Sequence, residues 1–166
     1  MAISIKKLLV FALITTSLTG CGSGRTAETR MIKQVTDGVE GQSNEVRLRN
    51  VLIVKDEVAQ GILIGTLVNW SDEADALTGI TINDQAVTLS ASSFNLARNK
   101  PVIFAGPSAN ADAFIPQITN AIGERVDITF SFAKASPIKL NALILQNDGI
   151  YTDLLRYKTE AATVTS

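Results

Sequence analysis

Histidine is absent from the 166-residue sequence, and cysteine and methionine are scarce, with one and two residues respectively. Histidine is the commonest general acid or base and the commonest transition-metal ligand, so its absence argues against most catalytic sites and most zinc or copper sites. The sequence also lacks a phosphate-binding glycine-rich loop, a dinucleotide-binding fingerprint and a Gly-x-Ser-x-Gly nucleophile motif. We therefore expect a protein that is not an enzyme and holds no cofactor.

The N-terminal segment has the composition of a secretory signal peptide. Lys6 and Lys7 supply its positive charge, and the residues that follow, 8–18, are mainly apolar. An apolar run of this length is too short to cross a bilayer as a helix, which needs about 20 residues. The pattern predicts that residues 1–20 are a cleaved signal peptide.

The end of this segment resembles the lipobox of bacterial lipoproteins. The box consists of Leu18, Thr19, Gly20 and Cys21, with small residues directly before the only cysteine. The resemblance implies that the Cys21 thiol carries a diacylglyceryl lipid and becomes the new N-terminus, which anchors the protein to the extracytoplasmic face of the cell membrane. The alternative is an ordinary signal peptide with a chance cysteine.

The charge of the remaining chain excludes two kinds of partner. After removal of Lys6 and Lys7, 13 basic and 16 acidic residues remain, a net charge of −3. No basic stripe follows Cys21, so neither nucleic-acid binding nor electrostatic attachment to anionic lipid is expected. The expected partners are the membrane, through the lipid, and a protein at the cell envelope.

Short apolar segments separated by turn residues predict an all-β domain. The predicted strands are 31–36, 45–55, Gly61–Asn69, 77–82, 86–89, 101–105, 126–132 and 138–145, with a last strand or helical turn at 151–157. The domain is expected to span 31–157. It follows a lipidated cysteine and flexible tether at 21–30, for which an ordered lead-in is the alternative, and precedes a tail at 158–166.

Seven or eight strands of this kind predict an antiparallel β-sandwich of the immunoglobulin-like or cupredoxin-like type. The clearest alternation lies at 126–132, and it forms a predicted hairpin with 138–145. One short helix is an open alternative between Asp112, a plausible N-cap, and Gly123. An irregular loop packed by the same apolar side chains is the other interpretation of this segment.

The acidic loop after the third predicted strand contains the candidate site residues. Asp72 and Asp75, with Glu73, are weak candidates for a metal site because hard cations prefer oxygen ligands. The alternative is a solvated turn in which Asp72 or Asp75 accepts backbone N–H bonds. Trp70, the only tryptophan, is a candidate anchor for a protein partner, and packing at the rim of the core is its alternative.

Two blocks of the sequence carry a resemblance to a known family. The first block, 50–80, contains a long strand that ends in Asn69, an acidic turn with Asp75-Ala76-Leu77, and Gly79; the second is 123–145. Both blocks resemble actinobacterial surface lipoproteins that are distantly similar to the periplasmic copper chaperone PCuAC family. The resemblance implies a β-sandwich outside the cytoplasm. The family's copper motif consists of histidines and methionines in the middle and late strands, and no position of this sequence matches it.

These observations lead to two functional hypotheses. The first is a membrane-anchored, non-catalytic β-sandwich that binds a protein partner at the cell envelope, as an accessory to a membrane complex, since relatives without the copper motif resemble accessory proteins. The alternative is a metal or small-ligand carrier related to copper chaperones, with a site that uses neither histidine nor methionine.

Overall fold

The computed structural model describes residues 37–152 and Leu154, which form eleven strands and one short 3-10 helix. The strands are β1 Val39–Ser43, β2 Val46–Lys55, β3 Gly61–Asn69, β4 Asp75–Ile82, β5 Gln85–Ala86, β6 Thr88–Leu89, β7 Phe94–Leu96, β8 Val102–Phe104, β9 Ala113–Ile115, β10 Arg125–Phe132 and β11 Ile138–Gln146; the helix is Gly149–Tyr151. None of the helical residues within this range forms a segment long and apolar enough to cross a membrane. The predicted signal peptide, lipobox, tether, first strand and tail lie outside the described residues.

Two layers of strands enclose the core, and β11 joins them. One layer, which we call sheet A, contains β1, β2, β3, β8, β9 and β6; the other, sheet B, contains β4, β5, β7 and β10. β11 pairs with β10 as the predicted antiparallel hairpin, and its last residues, 144–146, pair with β2 in parallel. The predicted all-β sandwich is confirmed, with this one parallel ladder closing the two layers on each other.

Alternation along β10 places its apolar side chains in the core, as the sequence predicts. Val126, Ile128, Phe130 and Phe132 are buried, and the residues between them are more exposed. From the opposite layer Phe104 enters the same core, where its ring meets that of Phe94 edge to face with centroids 5.7 Å apart. The burial of these side chains supplies the main driving force for joining the layers.

The apolar run in β2 is buried on both faces of sheet A. Val51 and Ile53 point into the core between the layers, whereas Leu52 and Val54 belong to a second cluster on the outer face. The register shifts just before this run, where Asn50 has a positive φ of 51°. A fully apolar segment is what a strand covered on both faces requires.

The segment 112–123 contains no helix. Its start forms β9, which pairs with both β3 and β6, and a loop follows from Pro116. Ile118 is buried and its N–H donates to the Ala59 carbonyl at 2.8 Å, while Ile122 is half-exposed. The structure thus corrects the helical alternative, because a free edge of β3 was available for pairing, and it supports the packed-loop alternative for 116–123.

Gly38 is required by a close approach between the start of β1 and β2. A Cβ atom at Gly38 would lie 2.6 Å from the Cα of Asn50, and that neighbour is backbone, which cannot move aside cheaply. We expect Gly38→Ala to lower the free energy of unfolding by about 1–3 kcal/mol, measured by urea denaturation. Gly79→Ala is the matched control, since nothing lies within 4 Å of its added Cβ. Equal stability of the two variants would contradict the expectation.

Candidate functional site

The loops at one end of the sandwich bring the predicted site residues to the same region, which we call the Trp70 end. It consists of the β1–β2 turn at 44–45, the β3–β4 loop at 70–74, the β7–β8 connection at 97–101 and the β10–β11 turn at 133–137. Backbone hydrogen bonds join these loops: the Trp70 N–H donates to the Glu45 carbonyl, and the Asn99 N–H donates to the Asn69 carbonyl. The surface at this end is therefore built from four connected loops.

Asn69, the last residue of β3, holds the β3–β4 loop in place from beneath. Its side chain is buried, with Nδ2 donating to the carbonyls of Glu73 at 2.7 Å and Leu96 at 2.8 Å, and Oδ1 accepting from the Ser71 N–H at 2.8 Å. A buried amide with three of its hydrogen bonds made stabilises one loop conformation. The sequence analysis did not predict that Asn69 holds this loop. A polar residue at an inward-facing position of an otherwise apolar strand could have indicated it.

Asp75 connects the acidic loop to the β10–β11 turn. Its buried carboxylate accepts three backbone N–H bonds, with Oδ1 bound by Ala76 at 2.7 Å and Lys134 at 2.8 Å, and Oδ2 bound by Ala135 at 2.9 Å. Burial acts to raise the pKa of Asp75, but the N–H bonds from Ala135, Ala76 and Lys134, with the Lys134 charge, outweigh it and lower the pKa below its ordinary value. The carboxylate therefore stays ionised and locks two loops together.

The structure does not bring Asp72 and Asp75 together as ligands of one ion. Asp72 is exposed and forms an ion pair with Arg98, while Asp75 is turned inward onto backbone N–H groups. Among residues 37–152 and Leu154, no group of three or more histidine, cysteine, aspartate or glutamate side chains is arranged to hold a metal ion. The arrangement corresponds to the alternative in which an aspartate of this loop accepts backbone N–H bonds.

Trp70 lies half-exposed on the outer face of sheet A, where an arginine covers its ring. The exposed fraction of Trp70 is 49%, and the guanidinium carbon of Arg47 is 3.4 Å from the ring centroid. Such a cation–π contact contributes about 0.5–2 kcal/mol. Arg47 Nε is buried and has no hydrogen-bond partner in the described part of the chain.

Two ion pairs lie in the loops of the Trp70 end and do not involve Arg47. Asp72 pairs with Arg98, and Glu73 pairs with Lys134 at 3.5 Å; all four side chains are largely exposed. Exposed pairs of this kind contribute only about 0–1 kcal/mol to stability. They make the surface of these loops polar, as the rim of a protein interface commonly is.

Three comparisons relate the chain to known proteins, and only the comparison of structures finds similar ones. No family model and no curated protein matches the sequence. The copper-bound PCuAC domain from PmoF2 is similar with a TM-score of 0.57 and 18% identity, over 65% of this chain and 98% of that domain. The apo form of that domain has a TM-score of 0.58 and 18% identity, over 67% of this chain and 98% of that domain. The apo PCuAC domain from PmoF1 has a TM-score of 0.56 and 13% identity, over 64% of this chain and 98% of that domain. The described domain thus has the cupredoxin-like fold of PCuAC domains.

Proposed function

We propose that this protein is a non-catalytic lipoprotein, anchored through Cys21 to the extracytoplasmic face of the membrane, whose β-sandwich binds a protein partner at the Trp70 end. The observation that supports partner binding is the half-exposed Trp70 stacked on Arg47. Tryptophan and arginine are the residue types most enriched at the energetic centres of protein interfaces.

The surroundings of Trp70 favour binding because they are already ordered. Asn69 and Asp75 tie the loop that carries Trp70 to β7 and to the β10–β11 turn through buried hydrogen bonds. A surface that is held in one conformation loses little conformational entropy when a partner binds. The entropic cost of binding is therefore smaller than it would be for mobile loops.

The chemistry of the stack also indicates what the partner presents. Arg47 forms no ion pair within residues 37–152, so no carboxylate of the described chain neutralises its charge. A carboxylate of the partner next to an apolar side chain would bind the guanidinium and cover the exposed part of the indole ring. Charge-assisted bonds of this type are about twice as strong as neutral ones.

Attachment to the membrane would increase the encounter rate with a membrane partner. If the predicted tether at 21–30 behaves as a flexible chain, it spans on the order of 20 Å, so the domain would stay close to the bilayer surface. Confinement of this kind raises the effective concentration of one partner near the other without any additional contact. A moderate affinity at the Trp70 end is then sufficient for a membrane-bound partner.

A copper-carrier role is the alternative that the PmoF2 domain suggests, since that domain binds copper. Sulfur and imidazole are the ligands that Cu(I) prefers. The sequence has no histidine, and Cys21 and Met31 precede the described residues, so 37–154 contain none of these donors. The residues present therefore do not fit a copper site of that kind, and we propose that the domain acts without resident copper.

The proposal predicts that Trp70→Ala strongly reduces recovery of the partner. The tagged full-length chain, extracted from membranes in mild detergent, is expected to co-purify with a stoichiometric protein, and the variant to recover at least about 10-fold less, as for a central interface residue. Val58→Ala is the matched control, because Val58 is 73% exposed and lies in the loop between β2 and β3, at the opposite end of the sandwich from Trp70. Recovery of the wild-type chain alone in several detergents, or equal recovery with both variants, would refute the assignment.

A further inference from the structure

A cleft, which we call the amide cleft, opens between the two layers at the end of the sandwich opposite the Trp70 end. One wall is the β4–β5 hairpin at 82–87, and the other is the end of β9 with the loop after it, at 115–120. The volume of the cleft is about 430 Å³. Sites for small molecules usually have volumes of about 300–1,000 Å³, so the cleft is large enough for a small ligand.

The lining of the amide cleft combines buried aliphatic side chains with uncharged polar ones. The buried aliphatic residues are Ile82, Val87, Ile115 and Ile118. The polar residues are Asn83, Gln85, Gln117, Thr119 and Asn120. None of the described residues that line the cleft is charged, although Asp84 and Glu124 lie beside it in the sequence. An acidic or basic ligand would find no opposite charge there, and leaving a charge unpaired in such a site is costly, so a neutral ligand fits best.

Hydrogen bonds hold both walls of the cleft in place. The Asn83 N–H donates to the Asp127 carbonyl at 3.0 Å, and the Ile118 N–H donates to the Ala59 carbonyl at 2.8 Å. Asn83 Nδ2 also donates to Asn120 Oδ1 at 3.1 Å, which joins one wall to the other. A cleft that is fixed in this way needs little further ordering when a ligand enters.

The other polar side chains of the lining keep their hydrogen-bonding groups available. In the part of the chain that the structure describes, the side chains of Gln85, Gln117 and Thr119 are exposed and form no hydrogen bond with the protein. An amide group both donates and accepts hydrogen bonds, and so does a hydroxyl group. The lining is therefore complementary to a ligand whose own groups do both.

We propose that the amide cleft binds a neutral saccharide. The hydroxyl groups of a sugar both donate and accept hydrogen bonds, which matches Gln85, Gln117 and Thr119. The C–H groups on the face of a sugar ring are apolar and would cover the aliphatic side chains and the exposed ring of Pro116. The cleft and Trp70 lie at opposite ends of the sandwich, so this site does not depend on the protein partner proposed above.

A glycan array probed with the tagged full-length protein tests this inference. The array carries neutral oligosaccharides of glucose, galactose, mannose and N-acetylglucosamine, together with sialylated and sulfated ones. The detergent has no sugar headgroup, because such a headgroup would compete for the cleft. Binding to neutral oligosaccharides in preference to acidic ones is the expected result. The neutral oligosaccharide with the strongest signal is then titrated by calorimetry to give a Kd for each variant.

Two substitutions in the cleft locate the binding. Gln117→Ala should raise the Kd about two- to tenfold, the range expected for the loss of one hydrogen bond. Ala86→Phe should remove binding, because Ala86 is an exposed residue of the lining and the larger ring would fill the cleft. Gln42→Ala is the matched control, since Gln42 is an exposed glutamine of β1 outside the cleft, and its Kd should equal that of the wild type.

Three results would overturn the proposal. The first is an array on which no neutral oligosaccharide binds. The second is binding confined to the acidic oligosaccharides, since the described lining contains no cation for them. The third is a neutral oligosaccharide whose Kd is the same for the wild type, Gln117→Ala and Ala86→Phe, because its binding site would then lie elsewhere.

Discussion

Asp75→Asn is expected to lower the free energy of unfolding by about 2–3 kcal/mol, because one side of the new amide cannot accept a hydrogen bond. In the native domain both carboxylate oxygens are used by backbone N–H groups of Ala76, Lys134 and Ala135. An asparagine NH₂ group would face at least one of these N–H donors and leave it unpaired. Urea denaturation monitored by the fluorescence of Trp70 measures the loss.

Asp72→Asn provides the matched control for Asp75→Asn. Asp72 lies in the same loop, but its side chain is 85% exposed and its partner is the exposed Arg98. The loss of this ion pair should change the free energy of unfolding by less than about 1 kcal/mol. If the two variants are equally stable, the carboxylate of Asp75 does not connect the loops in the way that the hydrogen bonds indicate.

Asp75 is also expected to make the stability of the fold depend on pH. The pKa of Asp75 is lowered in the folded state from its ordinary value of 3.8. A lowered pKa means that the ionised form stabilises the fold above pH 3.8, and that this contribution disappears as the pH falls through the lower folded-state pKa. The hydrogen bond from Asn141 also lowers the pKa of the exposed Asp127, so the informative quantity is the difference between wild type and Asp75→Asn. That difference should shrink below about pH 4.

Cys21→Ser is expected to release the protein from the membrane. If the thiol carries a diacylglyceryl group, the variant loses its acyl chains, each CH₂ of which contributes about 0.8 kcal/mol to membrane binding. Phase separation in detergent should move the protein from the detergent phase to the aqueous phase, by more than about 100-fold in the ratio of the two. Mass spectrometry of the mature N-terminus should show the lipid on Cys21 in the wild type alone.

Ser23→Ala controls for a change near the predicted cleavage site that keeps the thiol. This variant should partition into the detergent phase like the wild type and carry the same lipid mass. A wild-type protein that is cleaved at another position, or that partitions into the aqueous phase, would contradict the lipobox assignment. A negative result for lipidation would not bear on the proposed interface at Trp70, because Trp70→Ala tests partner binding and not membrane attachment.

Strands with strong local patterns were predictable from the sequence. The bounds of β3 agree completely, and β2 and β10 agree within one residue, because each alternates or runs apolar over eight residues or more. The turn at Asn83 and Asp84 was also readable: both residues have a positive φ, which Asn and Asp tolerate and a tight hairpin needs. In these segments residue identity and backbone preference agree without help from distant contacts.

Short edge strands were not predictable in the same way. β1 and β7 were missed, and the predicted strand 86–89 divides into β5 on one layer and β6 on the other. Segments of two to five residues carry too little periodicity to be recognised alone. They become strands because β2, β4 and β9 offer unpaired edges, which is a property of the assembled sheets.

The sequence by itself determined which metal-ligating side chains are available and where the long strands lie. Both depend only on which residues are present and how they alternate. Tertiary structure alone decided the roles at the Trp70 end. Asp72 and Asp75 are three residues apart, yet one faces solvent and the other binds a turn that begins nearly sixty residues later. Trp70 likewise meets Arg47 only because β2 and β3 pair in one register. Contacts between distant parts of a chain follow from strand pairing, and local sequence patterns do not encode that pairing.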